Sequence, residues 1–179
     1  MVCPSPDHAL WIVAVEFVRH LRADIGFERL GSKPAHLDHL CTGKPRQHGI
    51  NNWEVYKAHI GGKLAVQNSL ERISDVAQQM RLAFEKPDWP EAGRLMQEEW
   101  SFRKRNLPTI STKTIDRVIE GARRNGALAG KVCGAGGGGC VVLLIEPDAR
   151  ERVEKAIIEA GAQVLPMRID RQGVQVVSR

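Results

Sequence analysis

Between residues 70 and 122 apolar side chains recur at spacings of three and four, the period of one helical face. Leu70, Ile73, Ala77, Met80 and Phe84 predict a first helix that Lys86-Pro87 stops. A second begins near Trp89-Pro90, where a proline suits the first turn, and carries the stripe Ala92, Leu95, Met96 and Trp100. Pro108 separates it from a third, capped by Ser111 or Thr112, with Ile115, Val118, Ile119 and Ala122 inward and Gly126 closing it. The period then changes. Residues 128–133 and 140–145 ("CVVLLI") predict two strands with a glycine-rich loop between them. Pro147-Asp148 opens a helix with Val153, Ala156, Ile157 and Ala160 inward, and Gly161 ends it. Alternating Leu165, Met167 and Ile169 predict a third strand, and a turn at Arg171-Gln172-Gly173 leads to a fourth, "VQVV". Helices followed by β–loop–β–α–β–β predict an α+β domain, a small antiparallel sheet packed against helices.

The first third of the chain is less regular. In "HALWIVAVEFVRHL", residues 8–21, a near-continuous apolar run suits a helix or a buried strand equally. Gly26, Gly31 and Pro34 then signal turns. Thr42-Gly43-Lys44-Pro45 reads as a turn, and Asn51 or Asn52 as the cap of a short helix bearing Trp53, Val55 and Tyr56, ended by Gly61-Gly62. Residues 1–36 are therefore read as an N-terminal arm and 37–179 as the domain.

Composition adds limits. At 179 residues the chain suffices for one domain, with 42% hydrophobic and 26% charged residues as in ordinary globular proteins. The net charge of +5 suits an anionic ligand, but no aromatic–basic pattern points to nucleic acid. Arg103-Lys104-Arg105, the densest basic run, reads as a solvated helix face. The apolar run Ala9–Val18 is broken by Glu16, followed by Arg19 and Arg22, and too short to span a membrane; no leader is evident, so a cytoplasmic location is expected. Cys3, Cys41, Cys133 and Cys140 form no C-x-x-C pair, which argues against a zinc site; Cys133 and Cys140, flanking the glycine loop among apolar neighbours, read as small buried residues of a reduced chain.

The chemistry concentrates at "GKVCGAGGGGCVVLLIEP", residues 130–147, where five of the six positions 134–139 are glycine. Gly134, Gly136 and Gly139 satisfy the dinucleotide fingerprint G-x-G-x-x-G literally. That motif needs a helix directly after the loop, and here a strand follows. A P-loop needs Gly-Lys-Ser/Thr, and Cys140-Val141 stands there instead. What fits is a glycine loop between two strands. Its successive N–H groups, in alternating left- and right-handed conformations, make a concave nest for an anion, or let another backbone approach closely. A bulged hairpin without a ligand is the plain alternative, although a hairpin needs one or two glycines and not five.

This stretch, read as "GALAGKVCGAGGGGCVVLLIEP", resembles the third motif of the GHMP kinases, the superfamily of galactokinase, homoserine kinase, mevalonate kinase and phosphomevalonate kinase. "CTGKPRQHGINNWEVYKAHI", "EEWSFRKRNLPTIST" and "IDRVIEGARRNGALAGKV" look closest to the branch with the D-glycero-D-manno-heptose phosphate kinases. The resemblance covers roughly residues 38–177 and implies a ferredoxin-like C-terminal domain. Neither the P-x-x-x-G-L-x-S-S-type loop that holds ATP in that family nor its catalytic acid is found, so a C-terminal domain inactive or weakly active by itself is expected. In an intact enzyme the resemblance implies ATP and magnesium, with a sugar or sugar phosphate as acceptor. It also implies that Gly134, Ala135, Gly136, Gly137, Gly138 and Gly139 line the nucleotide–substrate cleft. Lys131 is either a further phosphate contact or an exposed strand residue. Arg46, Asn51 and Asn52 have the chemistry to hold a sugar phosphate, or else cap a helix and face solvent. Trp53 and Trp100 read as core, Glu98 and Glu99 as surface or a salt bridge to Arg103, and Thr109–Thr112 as a cap. The rival from another class is a non-catalytic association module that pairs with itself or with a separate N-terminal kinase half, with "ALWIVAVEFV" as a candidate surface.

Overall fold

The computed structural model describes residues 36–42, 48–146 and 148–165. The N-terminal arm, Arg46, Met167, Ile169 and the "VQVV" strand lie outside these residues. In chain order the described elements are β1 (His36–Cys41), α1 (His48–Ile60), α2 (Leu64–Glu85), α3 (Trp89–Asn106), a 3-10 turn (Pro108–Ile110), α4 (Lys113–Arg124), β2 (Ala127–Val132), β3 (Cys140–Ile145), α5 (Arg150–Glu159) and β4 (Gln163–Leu165). The strands form one antiparallel sheet in the order β2-β3-β1-β4. The architecture is α+β, as the element order required.

Local chemistry sets the helix limits. The Asp88 carboxylate accepts from the Glu91 N–H at 3.0 Å and starts α3, with Pro90 in its first turn. Of the two expected caps for α4, Thr112 is the one used: its Oγ1 accepts from the Ile115 N–H at 3.2 Å. The stripes of α3 and α4 are buried as the periodicity required. In α2 the inward face is rotated from the expected one. Val66, Ser69, Val76, Ala83 and Phe84 are buried and Ala77 is exposed. The helix also begins at Leu64, earlier than its apolar stripe suggested. Asp148 and Ala149 form a turn, so α5 starts at Arg150.

The strand β1 was not foreseen, yet it lies inside the sheet, with Leu40 opposite Val141 on β3 and Val164 on β4. The continuous apolar run of β3 follows from burial on both faces. Val141, Leu143 and Ile145 join the apolar cluster beneath α4 and α5. Leu144 points the other way, into a cluster with Val76, Phe84, Leu95 and Met96 of α2 and α3. A bulge between Ala127 and Ala129 of β2 keeps its residues in phase with this alternation, so that Ala129 opposes Leu144 and Lys131 opposes Val142.

Candidate functional site

The loop 134–139 leaves β2 and returns into β3, and the Cys133 N–H donates to the Cys140 carbonyl at 2.9 Å to close its neck. It opens no helix. All five glycines have positive φ: +76° at Gly134, +75° at Gly136, +74° at Gly137, +153° at Gly138 and +81° at Gly139. Ala135 stands at the one position without it. The bareness of the sequence is thus a backbone requirement, because a β-carbon costs about 1–2 kcal/mol at each left-handed position. The expected alternation of hands holds for Gly134-Ala135-Gly136 and fails from Gly136 to Gly139, where every φ is positive.

Three distant segments grip the loop. The Gly139 carbonyl accepts both the Thr42 N–H (2.9 Å) and the Thr42 hydroxyl (3.0 Å), at the end of β1. The Asn51 Nδ2 donates to the Ala135 carbonyl at 3.0 Å, from a buried position in α1. The Gly137 N–H donates to the Ile110 carbonyl at 2.8 Å, and a β-carbon on Gly136 would strike Ile110. The loop carbonyls of Ala135 and Gly139 are therefore turned toward protein donors. Among the described residues no acceptor meets the amides of Gly134, Ala135, Gly138 or Gly139. Ala135, Gly136, Gly138 and Gly139 are buried, whereas Gly134 and Gly137 reach the surface. Two clefts among the described residues lie elsewhere. One of about 400 Å³ is between the start of α2 and the end of α3, and one of about 300 Å³ lies by Gln97, Lys104 and Gly130.

Asn51 lies within α1 and not at its cap; its amide holds the loop, and Asn52 beside it is exposed. Trp53, expected in the core, is 58% exposed; Trp100 is buried as expected. Lys131 is half-buried on the α3 face of the sheet, its Nζ 2.8 Å from Glu99 Oε2. That oxygen is buried and takes no aligned hydrogen bond, so the ammonium charge is what balances it. Glu99 also lies 3.6 Å from Arg103, the pair expected from the sequence, whereas Glu98 pairs with Arg94 at 2.8 Å. Thr42 is the loop-holding residue that the sequence reading missed; only the register of β1 against β3 brings it to Gly139. Among the described residues no three His, Cys, Asp or Glu side chains converge as a metal site.

Residues 80–163 match the family pattern described as "GHMP kinases C terminal". Over these residues the chain is similar to the C-terminal domain of the GHMP kinases. The chain is 27% identical over 120 residues to the D-glycero-alpha-D-manno-heptose 7-phosphate kinase of Campylobacter jejuni, covering 65% of this chain and 35% of that protein. It is 39% identical over 67 residues to the mevalonate kinase of Pyrococcus furiosus, covering 37% of this chain and 20% of the relative. Among solved structures, L. major mevalonate kinase in complex with R-mevalonate superposes with a TM-score of 0.62 at 22% identity, over 70% of this chain and 39% of that one. The last likeness is one of fold. The match to the heptose kinase spans about a third of that protein's length. No helix among the described residues is long and apolar enough to cross a membrane.

Proposed function

We propose that the chain serves ATP-dependent phosphoryl transfer to a sugar or sugar phosphate, as the C-terminal portion of a GHMP-type kinase, with little or no activity by itself. The observation that carries this reading is the loop 134–139. Its carbonyls are tied inward by Thr42 and Asn51, while the amides of Gly134, Ala135, Gly138 and Gly139 keep their donors unspent. Transfer of a phosphoryl group is mostly positioning and charge stabilisation, and preset backbone donors supply both without reorganising. In this reading Gly134 to Gly139 line the nucleotide–acceptor cleft. Asn51 holds the loop in shape. Lys131, its charge shared with Glu99, adds a positive field one strand step before the loop. Arg46 and Asn52 belong to the acceptor side. Magnesium, when bound, neutralises the phosphate charge, and its ligands and the ATP loop belong to a separate N-terminal half. A cytoplasmic site of action fits such substrates.

The test is an amide ¹H–¹⁵N titration of the chain with a non-hydrolysable ATP analogue, magnesium and a heptose phosphate. The expected result is saturable shifts at Gly134, Gly138 and Gly139, with no phosphorylated sugar when ATP replaces the analogue. No shift at the loop, or shifts only elsewhere, would overturn the assignment of the site. Turnover by the purified chain would overturn its dependence on a second half.

A further inference from the structure

The cleft of about 400 Å³ between the start of α2 and the end of α3 is at the small end of ligand pockets and lies apart from the glycine loop. Its charge is one-sided. Lys63, Arg72 and Arg105 line it, and no carboxylate does. Lys63 makes no ion pair among the described residues, and Arg72 has only Asp75, at a loose 3.9 Å. Arg105 spends one donor on Ser101 Oγ at 3.1 Å and lies 4.6 Å from the Phe102 ring centre, and its other guanidinium donors meet no acceptor among the described residues.

The start of α2 adds backbone donors. Lys63 occupies its N-cap without a side-chain cap. The amides of Leu64 and Ala65 meet no acceptor among the described residues, so the positive end of a 22-residue helix is uncapped beside the cleft. A second observation is independent of the helix end. Ser69 is 8% exposed, lines the cleft and makes no hydrogen bond within the described residues. The only sealed side-chain polar atom without a hydrogen bond among those residues is Glu99 Oε2. The Ser69 hydroxyl is therefore not sealed, and Ser69 borders the cleft. A hydroxyl that no protein group meets keeps its donor and acceptor for what the cleft holds. The C-terminal end of α3 opposes an anion with about half a unit charge, which three cations outweigh.

We propose that this cleft is a second anion site, one that takes the phosphoryl group of a small phosphomonoester or of pyrophosphate. The guanidinium groups of Arg72 and Arg105, the Ala65 N–H and the Ser69 hydroxyl donate to its oxygens, and Asn68 and Asn106 border it. Several donors and no competing carboxylate suit a group that carries acceptors only.

The experiment is an amide ¹H–¹⁵N titration of the whole chain with inorganic pyrophosphate. The wild type is compared with Ser69→Ala and with the double variant Arg72→Gln/Arg105→Gln. Saturable shifts are expected at Leu64, Ala65 and Ser69. The arginine double variant should weaken them roughly tenfold or more, the loss of a charge-assisted hydrogen bond, and Ser69→Ala should weaken them less. Both arginines lie at the surface, so an unchanged urea midpoint shows that the variant is folded. Absence of shifts at α2, or shifts that the arginine variant leaves intact, overturns the proposal. Shifts confined to Gly134–Gly139 also overturn it while supporting the glycine loop, so the two readings fail separately.

Discussion

Replacement of Gly136 by alanine separates the two reasons why the loop is bare. Gly136 has φ +75°, and Gly62, at the end of α1, has φ +74°. The backbone term is thus the same at both positions, about 1–2 kcal/mol for a left-handed alanine. The surroundings differ. A β-carbon at Gly62 meets nothing within 4 Å. At Gly136 it lies 2.5 Å from the Ile110 carbonyl oxygen and 3.0 Å from its Cα, and it overlaps the side chain as well. The side chain can move, but the carbonyl cannot without giving up the Gly137 N–H bond of 2.8 Å. Overpacking of this kind costs about 1–3 kcal/mol, and a strained or lost hydrogen bond about 1 more. Gly136→Ala is therefore expected to lose about 3–6 kcal/mol, a large part of the roughly 5–15 kcal/mol that holds a domain folded. Gly62→Ala is expected to lose about 1 kcal/mol, since alanine also narrows the unfolded ensemble. Urea unfolding of both variants, with the slope checked for constancy, measures the difference. If the two differ by less than about 0.5 kcal/mol, close approach to Ile110 does not shape the loop and the argument for its geometry fails. Ile110→Ala should rescue little, because the carbonyl and Cα that obstruct the β-carbon remain.

Asn51→Ala should cost about 1–3 kcal/mol by stranding the Ala135 carbonyl, and hydrogen exchange at the loop amides should quicken before that of β3; equal quickening everywhere would refute a local role. Glu99→Gln leaves Lys131 and Arg103 half-buried without their carboxylate and should lower the urea midpoint by the equivalent of about 1–2 kcal/mol, discounted from a fully buried pair because both ends keep some solvent. Lys131→Met in that background should recover part of the loss, and a double-mutant cycle measures it. Glu91 is held below the ordinary carboxylate range by the two hydrogen bonds from Arg94, both 2.7 Å. Its contribution to stability is present above the unfolded-state value and is lost as pH falls through the lowered native one; Arg94→Ala should return the Glu91 titration, followed by NMR, to the ordinary range. Leu143→Ala should cost about 2–5 kcal/mol, since Leu143 is fully buried beneath α4 and α5.

Where elements are short-range in origin, the chain announces them. The stripes of α3 and α4, the Thr112 cap and the strand–loop–strand context of the glycines all follow from neighbours within a few residues. The rejection of a dinucleotide loop rested on that same local context, and the loop does run from strand to strand. The inward face of α2 was misjudged by one position because Ala77 counts as apolar in any pattern, while packing against α3 selects Val76. Trp53, an aromatic residue expected in the core, is exposed, and no sequence rule reveals that α1 buries it against no neighbour among the described residues.

Five glycines in six positions between two strands dictate a backbone without side chains at 134–139, since a run this costly in conformational entropy serves a shape that side chains would prevent. Which way that backbone faces is settled by long-range packing. Thr42, Asn51 and Ile110 lie 97, 84 and 27 positions from their loop partners, and a hydrogen bond across such distances has no local signature. Register between β1 and β3 brings Thr42 to Gly139, helix α1 brings Asn51 to Ala135, and together they turn the carbonyls toward the protein. The same holds for the cleft at α2, where Lys63, Ser69 and Arg105 come together only because α2 and α3 run antiparallel and set the start of one against the end of the other.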